Sequence, residues 1–98
     1  MFPYSSSKWY FAKDIEPKNG YGIDSTSGYP IATVKPFESI SKEEMKGNAS
    51  LIKHAPDMFE KINETLKEME ENGLESSNMY KKLSALVNEI EDTYLWFV

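Results

Sequence analysis

Two groups of side chains in this sequence have the type and spacing to do chemistry: a run of carboxylates and a crowd of aromatic rings. Glu60, Glu64, Glu68, Glu71 and Glu75 follow near-helical spacing, with Glu70 beside them. Paired carboxylates exchange protons with a substrate when an apolar pocket or a neighbouring charge moves a pKa. No histidine, glycine-rich loop or apolar pocket accompanies this run, so acid–base catalysis is not expected of it. A dense acidic face can instead imitate a phosphate backbone or meet a basic patch on another protein. The plainer alternative is a solvated helix face, with Asp57 pairing to Lys61 at i+4 and Glu64 to Lys67 at i+3.

The rings fall at the other end of the chain. Phe2, Tyr4, Trp9, Tyr10, Tyr21, Tyr29 and Phe37 lie within the first 40 residues, more than a small core easily hides. Exposed Tyr and Trp are typical anchors of protein interfaces, and they also stack on bases or nucleotide rings. The candidate partner-binding residues are therefore Trp9, Tyr10, Tyr21 and Tyr29, with Glu60, Glu64, Glu68 and Glu71. Lys8, Lys13 and Lys35, near Trp9 and Tyr10, would serve an alternative role, sequestering a signalling nucleotide.

The absences narrow the chemistry. With no cysteine in the chain, disulfides and thiolate metal sites are excluded. One histidine, His54, cannot build a His-based metal cluster within one chain. It precedes Pro56 at an expected helix end, where a protonated imidazole would favour the C-terminal dipole. No phosphate loop, dinucleotide fingerprint, nucleophile elbow or metal motif is present, so the chain is expected to be non-enzymatic and to need no cofactor. The sequons Asn48-Ala49-Ser50 and Asn63-Glu64-Thr65 fall inside expected helices and read as coincidence.

Length and charge bound the rest. At 98 residues and 11.3 kDa the chain is expected to form one domain, residues 1–98. Its net charge of −5 sits entirely in residues 41–98, which carry seven Lys against twelve Asp/Glu, while residues 1–40 balance at four and four. There is no arginine, the residue best suited to bidentate phosphate and base contacts, so direct nucleic-acid binding is not expected. No apolar run approaches about 18 residues, so no membrane span is expected. Met1-Phe2-Pro3-Tyr4-Ser5 has neither the basic start nor the apolar stretch of a signal peptide.

The elements that must position these side chains are well signalled. Lys8–Lys13 reads as a strand with Trp9 and Phe11 on one face and Tyr10 and Ala12 on the other. Pro17-Lys18-Asn19-Gly20 supplies turn chemistry. Tyr21–Ser25 is a second strand with Tyr21 and Ile23 on its apolar side. Thr26-Ser27-Gly28 turns the chain into a third strand, Pro30–Lys35, bracketed by Pro30 and Pro36 as suits an edge. Ser41 and Glu44 fit a capping box, with Ile40 and Met45 at the hydrophobic-staple positions. Ile52, Ala55, Phe59, Ile62, Leu66 and Met69 form one helical stripe, which Pro56 should kink or split near His54-Ala55-Pro56. Gly73 and Leu74 fit a Schellman stop over Met69. Ser76-Ser77 then cap a last helix with the stripe Leu83, Val87, Ile90, Tyr94 and Phe97, widened by Met79 and Leu86. The expected fold is α+β: a three-stranded antiparallel meander over residues 8–36, a Pro-kinked helix over 41–72, and a C-terminal helix over 77–97 that closes an antiparallel αα-hairpin. Tyr94-Leu95-Trp96-Phe97-Val98 is apolar on all sides and must dock on the chain itself or on a second copy. A homodimer through the C-terminal helix is therefore also expected.

Asn48-Ala49-Ser50-Leu51-Ile52-Lys53-His54-Ala55-Pro56-Asp57-Met58-Phe59-Glu60 resembles the N-A-x-L-I-x-x-A-P-[DE]-[LM]-[LF]-E segment of many small proteins of tailed bacteriophages and prophages. In that group the segment follows a tryptophan-containing strand and short β-strands, as it follows Trp9 to Lys35 here. The match is close over the segment and loose over residues 8–70. The motif also has a structural account: Leu51 and Ile52 would enter the core, Ala55-Pro56 would make the bend, and Asp57 and Glu60 would favour the next helix's N-terminal end. The resemblance carries no catalytic residue. It implies a phage-encoded protein acting in the host bacterial cytoplasm, non-enzymatically, as an anti-CRISPR-like inhibitor that binds a defence or host protein stoichiometrically. A nucleotide-sequestering protein and a self-assembling accessory protein seamed by Trp96-Phe97-Val98 are the alternatives.

Overall fold

Among the described residues Ile23, with no exposed surface, is the largest fully buried side chain, and the sheet packs around it. The computed structural model describes residues 2–12 and 20–96. Lys13, Phe97, Val98 and the Pro17-Lys18-Asn19 part of the expected turn lie outside the described residues. The chain is α+β, with strands β1 (Tyr10–Phe11), β2 (Tyr21–Asp24) and β3 (Pro30–Val34) followed by helices α1 (Lys42–Lys53), α2 (Ala55–Glu71) and α3 (Asn78–Leu95). Its contacts divide it into two compact units: Tyr4–Asp57, and Met58–Val98 together with Met1–Pro3.

The first unit is the sheet and its helical cover. The strands run in the order β1-β2-β3, antiparallel throughout, with Phe11 opposite Ile23 and Ile23 opposite Ala32. This register sets Phe11, Ile23 and Ala32 on one face, where α1 lies against β2 and β3. Met45 and Ala49 are the buried residues of α1, one helical turn apart. The β2–β3 turn closes as its residues dictate: the Ser25 amide donates to the Tyr29 carbonyl at 2.8 Å, the Ser25 hydroxyl accepts the Tyr29 amide at 3.1 Å, the Gly28 amide donates to the Ser25 carbonyl at 2.9 Å, and Gly28 takes φ +86°. A bulge between Ile23 and Asp24 brings Asp24 opposite Pro30, a strand-end site that asks no amide of the proline.

Two details depart from the sequence reading. Among the described residues the first strand is Tyr10–Phe11, and Lys8 and Trp9 of the expected Lys8–Lys13 lie ahead of it. Ahead of it the Trp9 indole N–H donates to the Ser5 carbonyl at 2.8 Å and Ser7 adopts φ +70°, so the chain bends before it can pair. Leu51, expected in the core, is 63% exposed. It lies two residues past Ala49, about 200° around the helix from the side that faces the sheet.

The helix boundaries form where the caps place them. The Ser41 hydroxyl accepts the Glu44 amide at 3.1 Å, Ile40 is half-buried and Met45 buried. The expected break resolves into two helices, with His54 between α1 and α2 and buried Pro56 in the first turn of α2, where a missing amide costs little. Gly73, at φ +70°, donates to the Glu70 carbonyl while Leu74 donates to that of Met69, the paired bonds of a Schellman stop.

The second unit is the αα-hairpin. The Ser77 hydroxyl accepts the Tyr80 amide at 3.2 Å and starts α3. Among the described residues Leu66 and Val87 are its buried side chains, one from each helix. The two helices are tied near the turn by the Tyr80 hydroxyl, which donates to Glu70 Oε1 at 2.6 Å. At the far end Phe2 packs edge-on against Phe59 of α2 and Tyr94 of α3, with ring centroids 5.6 and 5.7 Å apart. Links at both ends, turn residues to turn residues and tips to tips, are those of an antiparallel pair.

Candidate functional site

The eight candidate residues fall in separate units. Trp9, Tyr10, Tyr21 and Tyr29 belong to the sheet unit, and Glu60, Glu64, Glu68 and Glu71 to the helical hairpin. Each group is therefore a surface in its own right.

In the sheet unit, Tyr10 and Tyr29 are exposed and the other two candidate aromatics are used by the fold. Tyr10 points to the face opposite Phe11 and is 50% exposed, while Tyr29, at the turn before β3, is 71% exposed. Tyr21 is half-buried and packs against Phe11 at 6.5 Å, and Lys53 Nζ lies 5.7 Å from the centre of the same Phe11 ring. Trp9 is half-buried and held by its indole bond to Ser5. Phe37, 67% exposed, joins the accessible set. Its position between Pro36 and the α1 cap, outside any alternating strand pattern, was the signal that it would not be covered.

In the hairpin, Glu60, Glu64, Glu68 and Glu71 are all exposed along α2. At 100° per residue they occupy a sector of about 80°, a narrow acidic stripe. Lys61 pairs with Glu64 at 3.1 Å and not with Asp57, and Lys67 forms no ion pair among the described residues. With both partners largely in water, that bridge contributes little to stability and leaves the stripe available. Glu75 is not part of it, because α2 ends at Glu71 and the Gly73 reversal turns the chain away. Glu70 is engaged by Tyr80, whose hydroxyl is held above the ordinary phenol value, first by that hydrogen bond.

His54 caps a helix. Its Nδ1 lies 2.8 Å from the Ser50 carbonyl oxygen, so the proton on Nδ1 points at a helix C-terminal acceptor. Lys8 and Lys35 are exposed, the Lys8 carbonyl accepting from Thr26 Oγ1 at 2.6 Å; the third lysine of the nucleotide alternative, Lys13, lies outside the described residues. An open hollow of about 360 Å³ at the hairpin tips is lined by Phe2, Pro3, Glu91, Asp92, Tyr94 and Leu95. Among the described residues no group of three or more His, Asp or Glu side chains is placed to hold a metal, and no helix is long and apolar enough to cross a membrane.

Neither a protein-family model, nor a curated protein, nor a solved structure matches this chain.

Proposed function

We propose that this chain is a phage-encoded, non-enzymatic inhibitor that acts in the host bacterial cytoplasm by binding a defence or host protein stoichiometrically. The observation that carries the reading is where the rings end up. Tyr10, Tyr29 and Phe37 stay in solvent on a unit where, among the described residues, Ile23, Met45, Ala49 and Pro56 are the buried apolar side chains. Leaving large aromatics in water forgoes burial worth roughly 1.5–3 kcal/mol each, an arrangement suited to a surface that completes itself on a partner. The acidic stripe of α2 adds a second surface that would steer association toward a basic patch. The phage provenance rests on the Asn48–Glu60 resemblance.

An affinity pull-down of the tagged chain from a bacterial lysate containing known defence complexes tests the proposal. Stoichiometric retention of one defence component supports it, and an empty pull-down overturns it. With a partner in hand, Tyr10→Ala with Tyr29→Ala is expected to weaken binding by about 2 kcal/mol or more while helicity stays unchanged. Glu64→Lys with Glu68→Lys should slow association and flatten its salt dependence. If both pairs bind as the parent does, the proposed surfaces are wrong.

A further inference from the structure

The hairpin leaves apolar side chains in solvent along one flank of α3. Met79 is 58% and Leu86 42% exposed. They are seven residues apart, two helical turns, so they share one line along the helix. In heptad terms Met79, Leu86 and Thr93 take d, the half-buried Leu83 and Ile90 take a, and the exposed Lys82 and Glu89 take g. Neither Lys82 nor Glu89 joins an ion pair within the chain among the described residues. A parallel neighbour would set these g charges against e positions, which here are Tyr80, Val87 and Tyr94 and carry no charge. An antiparallel neighbour reads differently. Lys82 lies four residues before Leu86 and Glu89 three after it, so reversing the helix about Leu86 brings Lys82 of one copy beside Glu89 of the other. Two-fold symmetry repeats the pair on the opposite side, and the same operation lays Met79 against the Thr93 methyl.

We propose that α3 pairs antiparallel with α3 of a second copy of this chain, with Leu86 at the two-fold axis and Lys82–Glu89 ion pairs on either side. The apolar line supplies the seam and the charges set its direction. The surface is distinct from the sheet aromatics and the α2 stripe, so the proposal stands or falls independently of the inhibitor reading.

Sedimentation equilibrium of the full chain tests it, with circular dichroism to check that each variant keeps its helicity. The parent should be a dimer that dissociates on dilution. Lys82→Glu and Glu89→Lys, made singly, each place like charges at both symmetry-related pairs and should weaken the dimer by about tenfold. Made together, they exchange the charges and should restore the parent association. A parent that stays monomeric at every concentration overturns the proposal and assigns the flank to a different protein. Single variants that associate as the parent does, or a combined variant as weak as either single one, overturn the antiparallel register.

Discussion

At Gly20 one added carbon does harm in two ways. The residue holds φ +107°, and a Cβ built there would overlap the Val34 carbonyl oxygen of the neighbouring strand. Gly20→Ala therefore combines backbone strain with a steric clash against backbone, which has no flexible end to swing aside. Gly28, at φ +86°, has open space around it, so Gly28→Ala bears the conformational term alone, about 1 kcal/mol. Urea unfolding should rank Gly20→Ala as the more destabilising, by at least another 1 kcal/mol. Tyr80 gives a second test at this scale. Its hydroxyl donates to the Glu70 carboxylate and is held above the usual phenol pKa by that bond, by desolvation and by the nearby charges of Glu70 and Glu75. A raised folded-state pKa means the bond's contribution is fully present below the unfolded phenol value and is lost as pH rises through the folded one. Absorbance titration of the phenolates should show Glu70→Gln bringing the Tyr80 transition down toward the ordinary value.

At the scale of elements, starts and stops were legible because each is a local hydrogen-bonding problem with few solutions. Ser41, Ser77, Gly73 and Leu74 announce their caps in the sequence, and the same residues make them in the structure. Ser41→Ala and Ser77→Ala should each cost about 1 kcal/mol in thermal or urea unfolding. The break at His54 was legible for the same reason, since Pro56 can offer no amide to the Ile52 carbonyl. Strand length was not. Tyr10–Phe11 pairs over two residues because Trp9 and Ser7 shape the approach to it, and no alternation of side chains reveals a tryptophan reaching back to a carbonyl. Exposure within a helix was half legible. The stripe from Ile52 to Met69 turns inward as its spacing requires, whereas Leu51, Met79 and Leu86 stay in solvent. Periodicity says which residues share a side, but not how much neighbouring structure is there to cover it. Of the candidate site, the acidic stripe could be read from spacing, while the division of the aromatics into used and available depended on tertiary contacts.

For the whole molecule, the balance of buried and exposed apolar side chains sets what the chain can do. Each unit rests on a few covered residues, Ile23, Met45 and Ala49 in one and Leu66 and Val87 in the other. Ile23→Ala, at a site with no exposed surface, should cost about 2–5 kcal/mol in urea unfolding. A small chain has little stability in reserve, about 5–15 kcal/mol for domains generally, so one such change consumes a large share of it. The placement of the two tryptophans makes the units separately observable. Trp9 is half-buried and hydrogen-bonded in the sheet unit, and Trp96 is 81% exposed in the hairpin. The chain thus carries one tryptophan per unit, in contrasting surroundings, and excitation at the red edge selects it over the tyrosines. With Trp96→Phe the remaining emission reports on the sheet and should resist a collisional quencher. With Trp9→Phe it reports on the hairpin and should be quenched almost as readily as free tryptophan, so two single-colour variants would reveal whether heat, denaturant or a bound partner acts on one unit or on both.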